Sequence, residues 1–434
     1  MKFTQKQIVI VAAGVVLVLA VVAAVYFGLR PTGNTQKITL TVWGTDPKSV
    51  FSDMASAYKA VAPNVTVDYL QDDPATYAGD LLKAFAAGTG PDIFEVGDHD
   101  LPKWYSVMAP APATLTPAFT AATVAGDFPT VVTQNFVAGG QVYALPLSLD
   151  TLAMYYNKDL FDSAGIVYPP KTWNDLDSDI PKLRTLNAQG QITQAAVALG
   201  GSGASIADAP DILFLLMLQN GTNMVSNDGT AATFASVAPD GSNPGLAAFN
   251  FYLQFANSAS PNYTWNDAMG DSMQNFLAGK TAIVFDYASA MSEIKEKAPF
   301  LDYGVAPMLQ PASATIAVNY PSYQGLAVSK RGQVDAAWQF IIYMTTTPAA
   351  EEVYLKDMAQ PPAGRSLIAA ALTDPTYGTF AAQALTARAW YEADDAQIDS
   401  IMDAAIENVL NGSSNAANAL GVAQNAITTV MRGQ

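Results

Sequence analysis

Residues 143–166, YALPLSLDTLAMYYNKDLFDSAGI, decide how the rest of the chain is read. An apolar run is cut at Pro146, shows one acid at Asp150, and resumes at once with Leu152 and Ala153. Proline cannot donate to a strand ladder, so the first strand ends there. An acid between Leu149 and Leu152 needs partners or a shifted pKa if it is buried, and a cleft explains it more simply. In an enzyme, a metal site and a two-lobed binder that acid reads differently.

The bulk numbers narrow the choice. At 434 residues the chain exceeds the size at which a single core stops growing, so two lobes are expected. Half of the residues (50%) are hydrophobic, which supports large cores and argues against disorder. A formal charge of -17 argues against nucleic acid and anionic lipid surfaces, both of which need clustered Lys and Arg. A neutral or cationic small solute fits better. There is no cysteine, which removes disulfides, thiolate metal sites, thiol nucleophiles and lipid-modified cysteine anchors. His99 is the one histidine, so multi-histidine zinc sites are excluded and no cofactor is implied.

Residues 8–29, IVIVAAGVVLVLAVVAAVYFGL, run without a charge for long enough to cross a bilayer core. Lys2 and Lys6 precede the run and Arg30 and Lys37 follow it, a weak lean toward a cytoplasmic N-terminus and an exported remainder. The alternative is a cleaved signal peptide, with small residues at 20–24; the length of the run favours an uncleaved anchor. The expected layout is therefore an anchor over 1–30, a polar linker over 31–37, and an extracytoplasmic body held at the cell membrane by a single pass.

After the linker, ITLTVW alternates Ile38, Leu40 and Val42 on one strand face. Asp46 is expected to cap a helix with Pro47 at its first position and a stripe of Phe51, Met54, Tyr58 and Val61. The strand VTVDYL, a helix around Leu81 and Phe85 closed by Gly88, and the strand DIFEV complete a β-α-β-α-β order. Right-handed crossovers make such strands parallel, and ligands then sit beyond their carboxyl ends. That rule alone singles out the loops at 43–46, 71–74 and 97–100. Further helices are expected around 208–219, 245–256 and 267–277, strands at TAIVFD and QGLAVS, and a nearly all-helical stretch from 379 onward. Pro181, inside LDSDIPKLRTL, predicts two short helices in place of one.

Four stretches in this order and spacing, AFAAGTGPDIFEV, the opening stretch followed by PPKTWNDL, MQNFLAGKTAIVFD, and GLAVSKRGQVDAAWQFIIYM, give the chain its likeness. Over residues 38–432 it resembles the extracellular solute-binding proteins of ABC importers, the large family that includes the maltose-binding protein. The resemblance implies an α/β, two-lobed periplasmic-binding-protein fold of the type II or Venus-flytrap kind, here preceded by one N-terminal transmembrane helix. The lobes would be 38–148 with 325–372 and 149–324 with 373–434, joined by crossings near 147–150 and 323–327 and a third return near 372–375. It also implies a small solute in the cleft, a carbohydrate above all, and the permease subunits of an ABC transporter as partners. In that frame the proline ends the first lobe's strand and the chain crosses with Asp150 facing the cleft.

Candidate ligand contacts follow. Asp150 matches an acidic sugar-contacting position of the maltose-binding relatives, and Asp286 and Tyr287 follow TAIVFD where the family places ligand-facing groups; a tyrosine stacks on a sugar face and a carboxylate accepts from hydroxyls. Ser289 stands where those relatives imply a tryptophan. Topology supplies Trp43, Thr45, Asp98 and His99, and the resemblance adds Tyr323 and Trp390. Against each stands a bland reading: a plugged sheet edge for Trp43, a satisfied surface residue for His99, a structural hydrogen bond for Asp150. Trp173 and Trp338 are read as core anchors. The acids of EADDAQID lack the spacing and central glycine of a calcium loop, so no metal is expected. The alternatives to a tethered importer receptor are an exported glycoside hydrolase working with two cleft carboxylates, and a surface sensor or adhesion module.

Overall fold

The computed structural model describes residues 36–115 and 119–433. The membrane span expected over 8–29 lies outside them, and among the described residues no helix is long and apolar enough to cross a membrane. What they form is two α/β bodies with separate cores.

The first body is built on a five-stranded sheet with the spatial order Val65–Gln71, Ile38–Gly44, Ile93–Gly97, Gln324–Val328, Ala144–Pro146. The three N-terminal strands are parallel, and Gln324–Val328 runs antiparallel to both of its neighbours. Leu40 and Val42 are fully buried, as the alternation requires, under the helix Lys48–Val61 with Val50, Phe51, Met54 and Tyr58 on its inner face. The helix Tyr77–Ala87 stops at Gly88, whose φ of 75° is the left-handed turn that a side chain disfavours. Asp46 does not cap the first helix as expected. Pro47 occupies that position without a side-chain bond, and the Asp46 carboxylate instead accepts from the Tyr354 hydroxyl at 2.9 Å. The capping geometry lost to a partner roughly three hundred residues away.

The second body is a sheet ordered Tyr303–Ala306, Ala153–Asn157, Thr281–Asp286, Ile192–Val197, Thr185–Leu186. The helix Ala209–Gln219 is packed on nearly all sides, which accounts for its unbroken ILFLLML. Pro181 does not split its helix: Trp173–Leu183 is one element, opened by a reciprocal Thr172–Asp175 cap. The proline sits in the last turn, where the missing N–H costs a single bond just before the helix ends. The expected helix over 267–277 is interrupted, with a short 3-10 turn Asp267–Met269 and then Ser272–Leu277, because Gly270 takes a positive φ between them.

Between the bodies, Asp150–Thr151 pairs antiparallel with Pro321–Ser322 in a two-stranded ladder. The later crossing is thus made at 321–322, just before the expected 323–327, of which residues 324–327 already belong to the first sheet. A third segment is fastened here by Gln383, whose amide donates to Thr151 Oγ1 and the Leu152 carbonyl at 3.0 Å each and accepts from Met308 N at 2.7 Å. The residues at 372–375, expected to make that return, lie between two helices, with Ala371 packed against the first core and Tyr377 against the second. On the helix Gly378–Ala384, Phe380 packs into the second core, and Ala381 and Ala384 into the first. Trp173 and Trp338 are buried anchors, bonded through Nε1 to Gln219 Oε1 at 2.7 Å and to the Ala109 carbonyl at 3.1 Å.

Because Trp338 is 0% exposed, Trp338→Ala removes a large buried ring and leaves the Ala109 carbonyl without its donor. The expected cost is about 3–5 kcal/mol. Urea denaturation should show a lowered midpoint with the slope unchanged; a loss below about 1 kcal/mol would contradict this packing.

Candidate ligand-binding site

The loop that leaves the strand Ile93–Gly97 carries Asp98 and His99 to the boundary between the bodies. The Asp98 backbone N–H donates to the Tyr323 carbonyl at 3.0 Å, so the crossing segment fixes this loop. Asn135 Nδ2 donates to Asp98 Oδ2 at 3.3 Å, and the same oxygen lies 3.3 Å from His99 Nε2. On its other side, His99 Nδ1 lies 3.3 Å from the Trp390 carbonyl and 3.4 Å from Glu392 Oε1. The His99 ring stacks near Tyr320 (centroids 6.2 Å, 17° between planes), whose hydroxyl donates to Glu392 Oε1 at 2.6 Å. Trp390 stands edge-on to Phe214 at 5.1 Å.

A cavity of about 840 Å³ opens beside this cluster. One wall belongs to the first body, with Asp98, His99, Pro102, Tyr105, Asn135 and Val137; the other belongs to the second, with Thr222, Met224, Val225, Trp390, Glu392 and Met431. Three of its lining residues carry a buried polar atom with no hydrogen-bond partner in the protein: Thr222 Oγ1, Trp390 Nε1 and Glu392 Oε2. Buried polar groups in folded proteins are almost always satisfied, so an orphan donor and an orphan acceptor at one cavity wall call for an occupant.

A second group of expected residues gathers at the crossing. Asp150 is buried; its Oδ1 accepts from Thr151 N and its Oδ2 from Ala288 N, both at 2.8 Å. Burial pushes it up to about 8 against the pull of those two N–H groups. Asp286 Oδ1 accepts from Tyr287 N at 2.7 Å, and this carboxyl too is pushed up to about 8, by burial and then by Asp208. The Tyr287 hydroxyl donates to Asp211 Oδ2 at 2.5 Å. Tyr323 is buried with its ring edge-on to Phe136 at 5.5 Å. Trp43 and Thr45 lie apart from both groups. Thr45 donates from N and Oγ1 to Glu95 Oε2 at 2.7 and 3.1 Å, and the Trp43 carbonyl accepts from Tyr77 at 3.1 Å. Neither lines the cavity.

Sequence reasoning missed Glu392, Asp208, Asp211 and Asn135. Burial holds the carboxyls of Glu392 and Asp211 well above the usual range, aided by Asp395 for the former and Asp399 for the latter. Asp98 is raised in the same way, by burial first and then by Asp395, whereas burial pushes the His99 imidazole down. The signal for Asp208 and Asp211 was present, as two acids opening an otherwise apolar helix, but it reads as an ordinary helix start.

The family model described as "Bacterial extracellular solute-binding protein" matches residues 43–351. The chain belongs to this family. Among curated relatives, a binding protein of Brucella abortus is 26% identical over 274 residues, covering 62% of this chain and 62% of that protein. The chain thus spans about 62% of the length of that relative. The maltotriose-binding protein of Pyrococcus abyssi is 24% identical over 334 residues, covering 75% of this chain and 65% of that one. Among solved structures, the cyclic α-maltosyl-1,6-maltose binding protein of Arthrobacter globiformis superposes with a TM-score of 0.75 at 18% identity, covering 92% of this chain and all (100%) of that one. The sugar-binding protein MalE of Xanthomonas citri gives 0.74 at 18% identity, covering 91% and 98%. At such identities these likenesses establish the two-domain α/β fold. A Listeria monocytogenes neighbour and a Deinococcus radiodurans relative are named as ABC transporter binding proteins, and this chain is a solute-binding protein by its family.

The carboxyl of Asp150 is raised in the folded chain, so the folded state holds a proton that the unfolded state has released. Its stabilising effect is complete below the unfolded value of about 3.9 and is lost as pH rises toward the folded value of about 8. Thermal melts of the full-length chain should therefore fall in midpoint between pH 5 and pH 8.5, and Asp150→Asn should make that decline shallower, whatever uniform cost the amide brings. An unchanged slope in the variant would contradict the assignment.

Proposed function

We propose that this chain captures a small hydroxylated solute, a sugar or oligosaccharide, in the cavity between its lobes and delivers it to the permease of an ABC importer. In this reading the body sits on the extracytoplasmic side of the cell membrane, held by residues 8–29 as a single-pass anchor. The lobes divide close to 38–148 with 325–372 and 149–324 with 373–434, save that Gln324 joins the first sheet and Ala381 and Ala384 the first core. The observation that carries the reading is the pair of unanswered groups on the shared cavity wall, the Trp390 Nε1 donor and the Glu392 Oε2 acceptor. A hydroxylated solute can answer such groups, since a hydroxyl both accepts and donates. The sugars named for the Pyrococcus and Arthrobacter relatives agree with that chemistry.

Asp98, His99 and Trp390 are assigned direct contact; Asp150, Asp286, Tyr287 and Tyr323 shape the crossing behind them, and Trp43 and Thr45 support the sheet end from which Asp98 projects. The mechanism is closure. Contacts from both walls exist together only when the lobes are shut, so a solute shifts the population toward that state. Micromolar affinity corresponds to about 8 kcal/mol, which several hydrogen bonds and an indole contact can supply.

The test is a thermal-shift screen of sugars, oligosaccharides, amino acids and polyols on the full-length chain. A ligand at a hundredfold excess over its Kd should add about 2.7 kcal/mol of stability. Trp390→Phe keeps the ring and removes the N–H, and should weaken binding by about 5- to 100-fold. A positive shift that is untouched by Trp390→Phe would move the site elsewhere, and the absence of any shift from a hydroxylated solute would sink the reading.

A further inference from the structure

The interlobe cavity has a marked imbalance of charge. Asp98 stands on one wall and Glu392 on the other, and Asp211, Asp395 and Asp399 lie close enough to act on them and on one another. Among the described residues no lysine or arginine forms an ion pair with any of these five acids; Lys103 pairs with Asp394, at 3.9 Å. Carboxyls gathered out of water without a counter-charge are costly, and leaving one with a bare oxygen is costlier. That is the case here: Glu392, 1% exposed, has Oε2 unpartnered, and Asp399 Oδ1 is buried without a partner as well.

The ligand atoms of His99, Glu392 and Asp395 lie within 4.8 Å of one another. An ammonium with N–H···O contacts of about 2.9 Å holds its tetrahedral acceptors about 4.7 Å apart, so it can bridge the Glu392 and Asp395 carboxyls across that span without a His99 nitrogen. A metal ion fits less well, because each His99 nitrogen already faces an oxygen: Asp98 Oδ2 at 3.3 Å on one side, the Trp390 carbonyl and Glu392 Oε1 at 3.3 and 3.4 Å on the other. Freeing a nitrogen for a metal would break the contact that joins the two walls.

We propose that the solute carries a protonated nitrogen beside its hydroxyls, as in an amino sugar or amino-oligosaccharide, with the cation seated against Glu392 Oε2 and Asp395 at the Asp98–His99 wall. This deepens the sugar reading above and rests on it. Glu392 and Asp395 then select for charge, and Trp390 Nε1 meets a neighbouring hydroxyl.

Calorimetric titration of the full-length chain at pH 6.5 tests this, using glucosamine oligomers of two to four units against the same oligomers N-acetylated. The pair shares length, linkage and hydroxyls and differs in the charge on nitrogen. The amine form should bind at least 10-fold tighter and lose affinity as sodium chloride is raised. Glu392→Gln and Asp395→Asn should each weaken the amine form at least 10-fold and the N-acetylated form less than threefold; Asp395 is exposed, so its variant folds even where Glu392→Gln fails. Equal binding of the two forms, or unchanged amine affinity in both variants, overturns the charge assignment and leaves the carbohydrate reading standing. Calcium or zinc chloride alone binding at this site and displacing the amine would overturn it in favour of a metal. If neither the oligomers nor any neutral sugar binds, the carbohydrate reading falls first.

Discussion

Carboxyls withdrawn from water need a proton, a donor or a cation, and the boundary between the two lobes of this chain holds far more carboxyls than bases. Asp98, Asp211 and Glu392 each lie close enough to Asp395 for its carboxylate to raise the cost of charging them. An empty closed cleft is therefore electrostatically unfavourable at neutral pH, and a ligand that supplies donors or positive charge removes the penalty only when the walls meet. The same acids that oppose closure without a solute reward it with one. The formal charge of -17 for the whole chain acquires a local meaning here.

The crossing makes such closure possible without disturbing either core. Each lobe has its own sheet and its own hydrophobic cluster, and the covalent links between them reduce to a two-stranded ladder and the segment fastened by Gln383. Asp150 belongs to this linkage more than to the cavity wall. Its two oxygens tie the first crossing to Thr151 and to Ala288, at the end of the second lobe's strand Thr281–Asp286. A carboxyl bridging two backbone segments fixes the geometry of the crossing, whereas an apolar residue there would leave the Ala288 N–H unsatisfied.

The fold was legible because its signals are local. Alternation in ITLTVW, the Gly88 stop and the proline at 146 each act within a few residues, and the β-α-β-α-β order named the 97–100 loop before any tertiary contact was known. Local rules failed where a distant partner or a position within an element decided the outcome. Asp46 had every mark of a helix cap, yet Tyr354 claimed its carboxylate. Pro181 reads as a break, but one turn from a helix end it interrupts almost nothing. Site residues divide in the same way. Asp98 and His99 follow from topology, whereas Glu392 takes its meaning from Tyr320 and His99, 72 and roughly three hundred residues away, and no spacing in the sequence encodes that meeting.

The helix Asp395–Leu410 shows how far local stability yields to the boundary. It places Asp395, Asp399 and Asp403 at i, i+4 and i+8, so three acids share one face where like charges cost about 0.2–0.5 kcal/mol per pair. Asp403 is accounted for, since it accepts from Gly203 N at 2.9 Å, and Asp394 caps the helix through Gln397 N. Asp395 and Asp399 have no such structural employment; the second holds an unpartnered oxygen beside Asp211 and Glu392. A sequence free to optimise this helix would break the stripe with a lysine, whose ammonium would then supply internally the charge that the cavity lacks. Keeping the stripe acidic leaves that place open to a cation from outside.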